Sequence, residues 1–247
     1  MTVKDIFKFL NKHFPTDTAC DFDNVGILVG DENATVTKTL IALDCTSDVI
    51  EQAVKSGCNL IITHHPVIFH PLKNVLKGSI VHKLIENGLS VICMHTNLDI
   101  AQNGVTDVLC DSLSPKTKEF VTAEDGYTLI KCEISPVSSE VLANKLKNSL
   151  GGTVKYAPTE RPIKTVLFCS GSGGNFVEDA HSLNCDALIT ADVKHSHFLW
   201  ALENGIALFD AGHFNTEDII VEPLKEMLSR EFKGEFLTTH ISKIKSC

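Results

Sequence analysis

From Lys38 to Met94 short apolar runs alternate with amphipathic ones, and this rhythm narrows the fold more than any other feature of the chain. Thr39–Asp44, TLIALD, predicts a strand; Ser47 can cap a helix carrying Val49, Ile50, Ala53 and Val54, and Gly57 can end it. NLIIT supplies the next strand, a helix with Ile80, Val81, Leu84 and Ile85 follows, and LSVICM supplies a third. A helix between successive strands forces a crossover, so these strands are expected to be parallel. Near Lys118 the rhythm gives way to an antiparallel pair around Glu124, Asp125 and Gly126, a helix over Ser139–Leu150 and a strand near Val154. It resumes with TVLFCS, a glycine-rich turn at 171–174, DALIT, IALFD and a long helix, and EFLTTH is a last strand able to pair at an edge. The expected fold class is therefore α/β, with mainly parallel sheets in two interlinked βα lobes, residues 1–117 and 118–247.

The strand NLIIT ends in His64, His65 and Pro66. Proline restricts the residue before it and gives up an N–H, so the strand stops there and leaves two imidazoles at a carboxyl edge. Ligands collect at that edge in open α/β sheets, and neutral imidazole is the commonest metal ligand. Asp44 and the pair His95 and Asp99 also fall just after strands of the same set, which places all of them along one sheet edge. Farther on, His213 precedes Glu217 by four residues. Asn215 is expected to cap the helix carrying Ile220, Leu224, Leu228 and Phe232, putting Glu217 in its first turn and His213 just outside.

Each residue has a plainer reading: Glu217 as an acid complementing a helix dipole, Asp99 as a loop carboxylate, His95 as a hydrogen-bonded strand-end histidine. Together, His64, His65, Asp99, His213 and Glu217 offer three imidazoles and two carboxylates, enough for two divalent metal ions with a bridging acid. Two such ions against two carboxylates leave a formal charge near +2, which would attract an anionic substrate. The zincin motif H-E-x-x-H is absent, and Gly171–Gly174 is not followed by the Lys-Ser/Thr pair of a Walker A loop. That GSGG run could cradle a phosphate, though a tight turn is its plainer use.

An internal pseudo-repeat supports the grouping. Ala53–Thr63 aligns with Ala180–Thr190, matching alanine, cysteine, isoleucine and threonine, and NGLSVICM-HTNLD aligns with NGIALFDAGHFNTE after one inserted glycine. His95 with Asp99 and His213 with Glu217 then become equivalent pairs.

Charge and cysteine content bound the partners. A net charge of -9 argues against a general electrostatic nucleic-acid binder. The N-terminal TVKDIFKFLNKHF places Val3, Ile6, Phe7 and Leu10 on one helical stripe and has no apolar h-region, and no run is long enough to span a bilayer, so a cytoplasmic protein is expected. The nine cysteines show no C-x-x-C spacing and are expected to be reduced, buried thiols.

The ordered set DNVG at Asp23, ALD at Asp44, HHP at His64, HTNLD at His95, TADVKH at Thr190 and DAGHFNTE at Asp210 resembles the GTP cyclohydrolase I type 2 homologues, also called NGG-interacting factor 3-like proteins. The resemblance covers nearly the whole chain. It implies two metal ions (zinc, iron, manganese or nickel) held between two lobes by His64, His65, Asp99, His213 and a bridging Glu217, and a ring-shaped homohexamer. Hydrolytic opening of the guanine imidazole ring of GTP is the activity it implies, with His95 as acid or base; another nucleotide or phosphoester would suit the same two metals. Ser196 stands where the family carries a histidine, which leaves the roles of Asp192, His195 and His197 open. The rival function is a non-enzymatic metal-binding, scaffold or regulatory protein.

Overall fold

The structure is a computed structural model that describes residues 1–244. Two compact units form, one from residues 1–101 with 220–243 and the other from 102–219. Helix α1 (Val3–His13) opens the first unit and is fixed by a capping box: Thr2 Oγ1 accepts the Asp5 N–H at 3.2 Å while Asp5 Oδ2 accepts the Thr2 N–H at 2.8 Å. Val3, Ile6 and Leu10 bury its apolar stripe. There follow β1 (Gly26–Val29), β2 (Lys38–Ala42), α2 (Ser47–Lys55), β3 (Leu60–Thr63), α3 (Ile80–Glu86), β4 (Ser90–Cys93) and the single turn α4 (Thr96–Asp99). The cap of α2 is Thr46, whose hydroxyl accepts the Val49 N–H; Ser47 is already helical, and its hydroxyl accepts from Lys83 Nζ at 2.9 Å.

The second unit contains α5 (Val105–Asp111), β5 (Thr117–Thr122), β6 (Thr128–Val137), α6 (Ser139–Leu150), β7 (Lys155–Ala157), β8 (Ile163–Ser172), α7 (Val177–Ser182), β9 (Ala187–Ala191), α8 (His195–Asn204), β10 (Ala207–Asp210) and α9 (His213–Glu217). The chain then returns to the first unit with α10 (Val221–Glu231) and β11 (Glu235–Thr238). This return replaces the single cut after residue 117. Helix α5 packs Leu109 and Cys110 into the core of the second sheet, whereas β11 pairs with β2, so the division falls at 101/102 and 219/220.

The first sheet has the order β1-β4-β3-β2-β11, parallel throughout except for β1 against β4. Its strands β3 and β4 are buried at every position, as expected where helices cover a parallel sheet. Leu60, Ile61 and Ile62 are each fully buried, a contribution of roughly 1.5–3 kcal/mol per side chain. The second sheet, β5-β6-β8-β9-β10-β7, corrects the expectation of mainly parallel sheets: only β8-β9 and β9-β10 are parallel, because a tight turn joins β5 to β6 and the short β7 closes the edge antiparallel to β10. The protein is thus α/β with two mixed sheets, each containing three successive parallel strands linked by helices. No helix among the described residues is long and apolar enough to cross a membrane. The eight cysteines among the described residues carry reduced thiols; the ninth, Cys247, lies outside the described residues.

Candidate metal centre

In the first unit, β3 ends at Thr63 and β4 at Cys93, and the residues that follow gather beside one another. The rings of His64 and His65 lie with centroids 5.0 Å apart, and His95 sits 5.1 Å from His64 and 5.6 Å from His65. One ring nitrogen from each of the three falls within 4.8 Å of the others. Two neighbours on a regular strand would point to opposite faces; because the strand has already ended, both imidazoles reach the same cluster. Asp99, at the end of α4 and not in a loop, brings Oδ1 to 3.6 Å from His64 Nε2.

Each imidazole is held from behind. His64 Nδ1 faces the Met94 carbonyl at 3.0 Å, so that nitrogen must donate. His65 Nδ1 lies 2.8 Å from Asp44 Oδ1, and His95 Nδ1 2.8 Å from Asp23 Oδ1. A carbonyl or carboxylate on Nδ1 fixes the tautomer whose lone pair is on Nε2, the arrangement found behind metal-ligating histidines. Asp23 is itself secured by the Thr96 N–H at 3.0 Å and the Thr96 hydroxyl at 2.6 Å. Burial pushes its carboxyl up, but hydrogen bonds from His95 and Thr96 outweigh that and hold it well below the usual carboxylate range. Cys93, beside the cluster, donates its thiol to the His64 carbonyl, and burial pushes the thiol pKa well above its ordinary value.

In the second unit the short helix α9 begins at His213 itself. Gly212, at φ +85°, precedes it, and Asn215 does not cap: its side-chain amide donates to the Leu150 carbonyl at 3.0 Å. The cap expected at Asn215 is therefore absent, and His213 and Glu217 occupy successive turns of one helix face, with Nε2 and Oε2 2.9 Å apart. His213 Nδ1 meets Asp192 Oδ2 at 2.7 Å, and Asp192 holds a left-handed backbone at φ +51°, which aspartate tolerates better than most residues. Asp210 ties the two loops together, accepting the Val193 N–H and the Gly212 N–H at 3.1 Å each. Of the residues in and just after TADVKH left open by sequence, Asp192 orients His213, whereas His195 is exposed and the His197 ring packs over Gly174.

The glycine run at 171–174 is not a phosphate cradle. Gly171 and Gly173 spend their N–H groups on Thr216 Oγ1 at 3.1 Å and Thr190 Oγ1 at 2.9 Å. A Cβ at Gly171 would overlap Glu217 Oε1, and one at Gly173 would lie 2.6 Å from Thr190 Oγ1. The loop is bare so that β8 can approach the carboxylate of Glu217. Sequence spacing did not reach Asp23, Asp210, Thr216 or this role of Gly171; DNVG and DAGHFNTE contain the first three but do not indicate their partners.

The His213 pair predicts a pH dependence. Its hydrogen bond to Glu217 raises the imidazole pKa, burial opposes this, and the Glu217 and Asp192 charges add to the rise, which carries it up to about 9. The imidazolium thus stabilises the metal-free fold below its ordinary value of 6.5, and that stability is lost as pH rises through about 9. A metal ion needs the lone pair that this proton occupies. Divalent-ion affinity is expected to rise about tenfold per pH unit between roughly 7 and 9 and then to level off, with one proton released at His213. Calorimetric titration across that range checks it; a flat profile would contradict it.

A protein-family model described as Duf34/NIF3 (NGG1p interacting factor 3) matches residues 1–246. The chain is 34% identical over 247 residues to a Clostridium acetobutylicum protein named GTP cyclohydrolase 1 type 2 homolog, covering 95% of this chain and 90% of the relative. It is also 34% identical over 221 residues to a Helicobacter pylori protein named GTP cyclohydrolase 1 type 2, covering 87% and 86%. Among solved structures, the Staphylococcus aureus hypothetical protein SA1388 superposes with a TM-score of 0.92 at 26% identity, covering 100% of this chain and 99% of that one.

Proposed function

This chain belongs to the Duf34/NIF3 family, and we propose that it is a dinuclear metal-dependent hydrolase. The ligands proposed for the two divalent ions are His64, His65, Asp99, His213 and Glu217, with Glu217 bridging. The observation that carries the reading is that His64, His65 and His213 each engage Nδ1 with a carbonyl or carboxylate, the arrangement that would leave Nε2 to ligate an ion. Imidazole with carboxylate suits zinc, iron, manganese or nickel. When bound, such ions supply Lewis-acid polarisation and lower the pKa of water.

The protein's own residues then divide the remaining work. His95, with Nδ1 on Asp23, takes up or delivers a proton at Nε2, and the Asp23 carboxylate stabilises the imidazolium formed. Asp44, Asp192 and the Met94 carbonyl keep the other rings in their ligating tautomer. The names of the relatives favour ring opening of GTP as the reaction, and another nucleotide or a phosphoester is the substrate class that the same charge would accept. A homohexamer is proposed on the family resemblance alone.

The test is turnover by protein reconstituted with each of the four metals, on GTP and a phosphoester panel, beside the metal-free protein. Metal-dependent hydrolysis of one substrate is expected. Tight binding of two ions with no turnover on any substrate would favour a metal-binding regulatory protein instead.

A further inference from the structure

Two phenylalanines stand exposed beside the histidine cluster of the first unit. Phe22 is 65% exposed and Phe69 37%, and their rings lie 6.2 Å apart at a tilt of 49°. Phe69 also presents its ring to His95 nearly edge-on, with centroids 6.2 Å apart. Exposed aromatic rings are normally scattered singly over a protein surface. These two form a pair, and each is built onto an anchor one residue away.

Behind Phe22, Asp23 takes the hydrogen bonds of His95 and Thr96, and the Cys20 N–H donates to Thr96 Oγ1 at 3.0 Å. Beside Phe69, the Ile68 carbonyl accepts from Asn24 Nδ2 at 2.5 Å. The two segments are thus fastened to each other and to His95 and Thr96, while the rings themselves are left in solvent. Such preorganisation of the backbone beneath the rings has value when the rings bind something, because less of the chain has to be ordered when the ligand arrives. Charge narrows the ligand further. Residues 67–79, which begin at this rim, contain Lys73 and Lys77 and no carboxylate, in a chain of net charge -9.

We propose that Phe22 and Phe69 form a stacking platform for a planar heteroaromatic ring bearing an anionic group, and so select the substrate of the adjacent centre. The inference rests on the hydrolase reading for the word substrate, but the platform is a binding site in its own right. Aromatic faces stack on any such ring, whereas an aliphatic side chain of similar volume keeps the apolar area and loses the π-face.

The experiment is calorimetric titration of the metal-loaded 247-residue chain with GMP, ribose 5-phosphate and inorganic phosphate, for wild type, Phe22→Leu and Phe69→Leu. GMP is expected to bind more tightly than ribose 5-phosphate. The Phe69→Leu change is expected to weaken GMP roughly 5- to 150-fold, with the other two probes and the bound metal unchanged. Equal losses for ring-bearing and ringless probes, no loss at all, or no GMP binding by wild type would each overturn the platform. So would a variant that changes oligomeric state with GMP affinity intact, since the rings would then serve a second copy of the chain. Phe-dependent GMP binding without turnover would sink the hydrolase reading alone; metal-dependent turnover indifferent to both substitutions would sink the platform alone.

Discussion

Replacing Glu217 by glutamine is expected to lower divalent-ion affinity by more than roughly 100-fold, since losing only a supporting partner of a metal ligand already costs about 10- to 100-fold. Glutamine fills nearly the same volume, so the buried site of Glu217, 3% exposed, stays packed and the α9 turn stays helical. What changes is charge: one of two carboxylates is lost, and the formal charge of the loaded centre rises from about +2 to about +3, while an N–H₂ group is offered where an ion needs a lone pair. His213 loses the carboxylate that raises its imidazole pKa toward about 9, so the metal-free variant also sheds its proton at lower pH. Calorimetric titration beside thermal melting separates the effects: affinity should collapse, while the melting temperature of the metal-free protein falls at neutral pH only by the loss of the His213–Glu217 pair, a difference that vanishes above about pH 9. Unchanged affinity would remove Glu217 from the ligand set.

Gly171→Ala is expected to damage the same carboxylate by a different route. Its backbone sits at φ +58°, where a side chain costs about 1–2 kcal/mol, and the added Cβ would overlap Glu217 Oε1 and come within 3.4 Å of His213 Cε1. Either the β8 end shifts, breaking the Gly171 N–H bond to Thr216, or the Glu217 side chain swings away from His213. Both outcomes lower ion affinity along with stability. Gly205 provides the control, because it has a similar φ of +66° and nothing within 4 Å of an added Cβ. Denaturant titration should show Gly205→Ala destabilised by about 1–2 kcal/mol with ion affinity intact, and Gly171→Ala destabilised at least as much with affinity lost. Equal ion affinity in the two variants would mean that the close approach to Glu217 has no bearing on binding.

The difference between these glycines shows where sequence was informative. A strand followed by His64, His65 and Pro66 is a local pattern, and local patterns were enough to place the strand end, the histidines and the βα rhythm around them. Asp23 could not be found that way, because its partner His95 lies 72 residues along the chain and meets it only through the folded edge of the first sheet. Asp210 and Thr216 were invisible for the same reason: one ties two loops through backbone N–H groups, the other accepts from a glycine 45 residues away. Asn215 illustrates the opposite failure, a residue whose local preference for capping is overruled by a bond to the Leu150 carbonyl, which lets the helix start at His213. In the second sheet the parallel strands read clearly from the βα rhythm, whereas the antiparallel pairing of β6 with β8 and of β7 with β10 depends on which strands the fold brings together and in which direction, which leaves no mark in spacing.

The central claim is that these tethered imidazoles and acids exist to hold two ions. Elemental analysis of the wild-type chain after metal loading and desalting at pH 8, read beside the Glu217→Gln baseline, tests it most directly. Two divalent ions per wild-type chain, and fewer in the variant, is the predicted result; one ion or none in the wild type, or two retained by the variant, would contradict it.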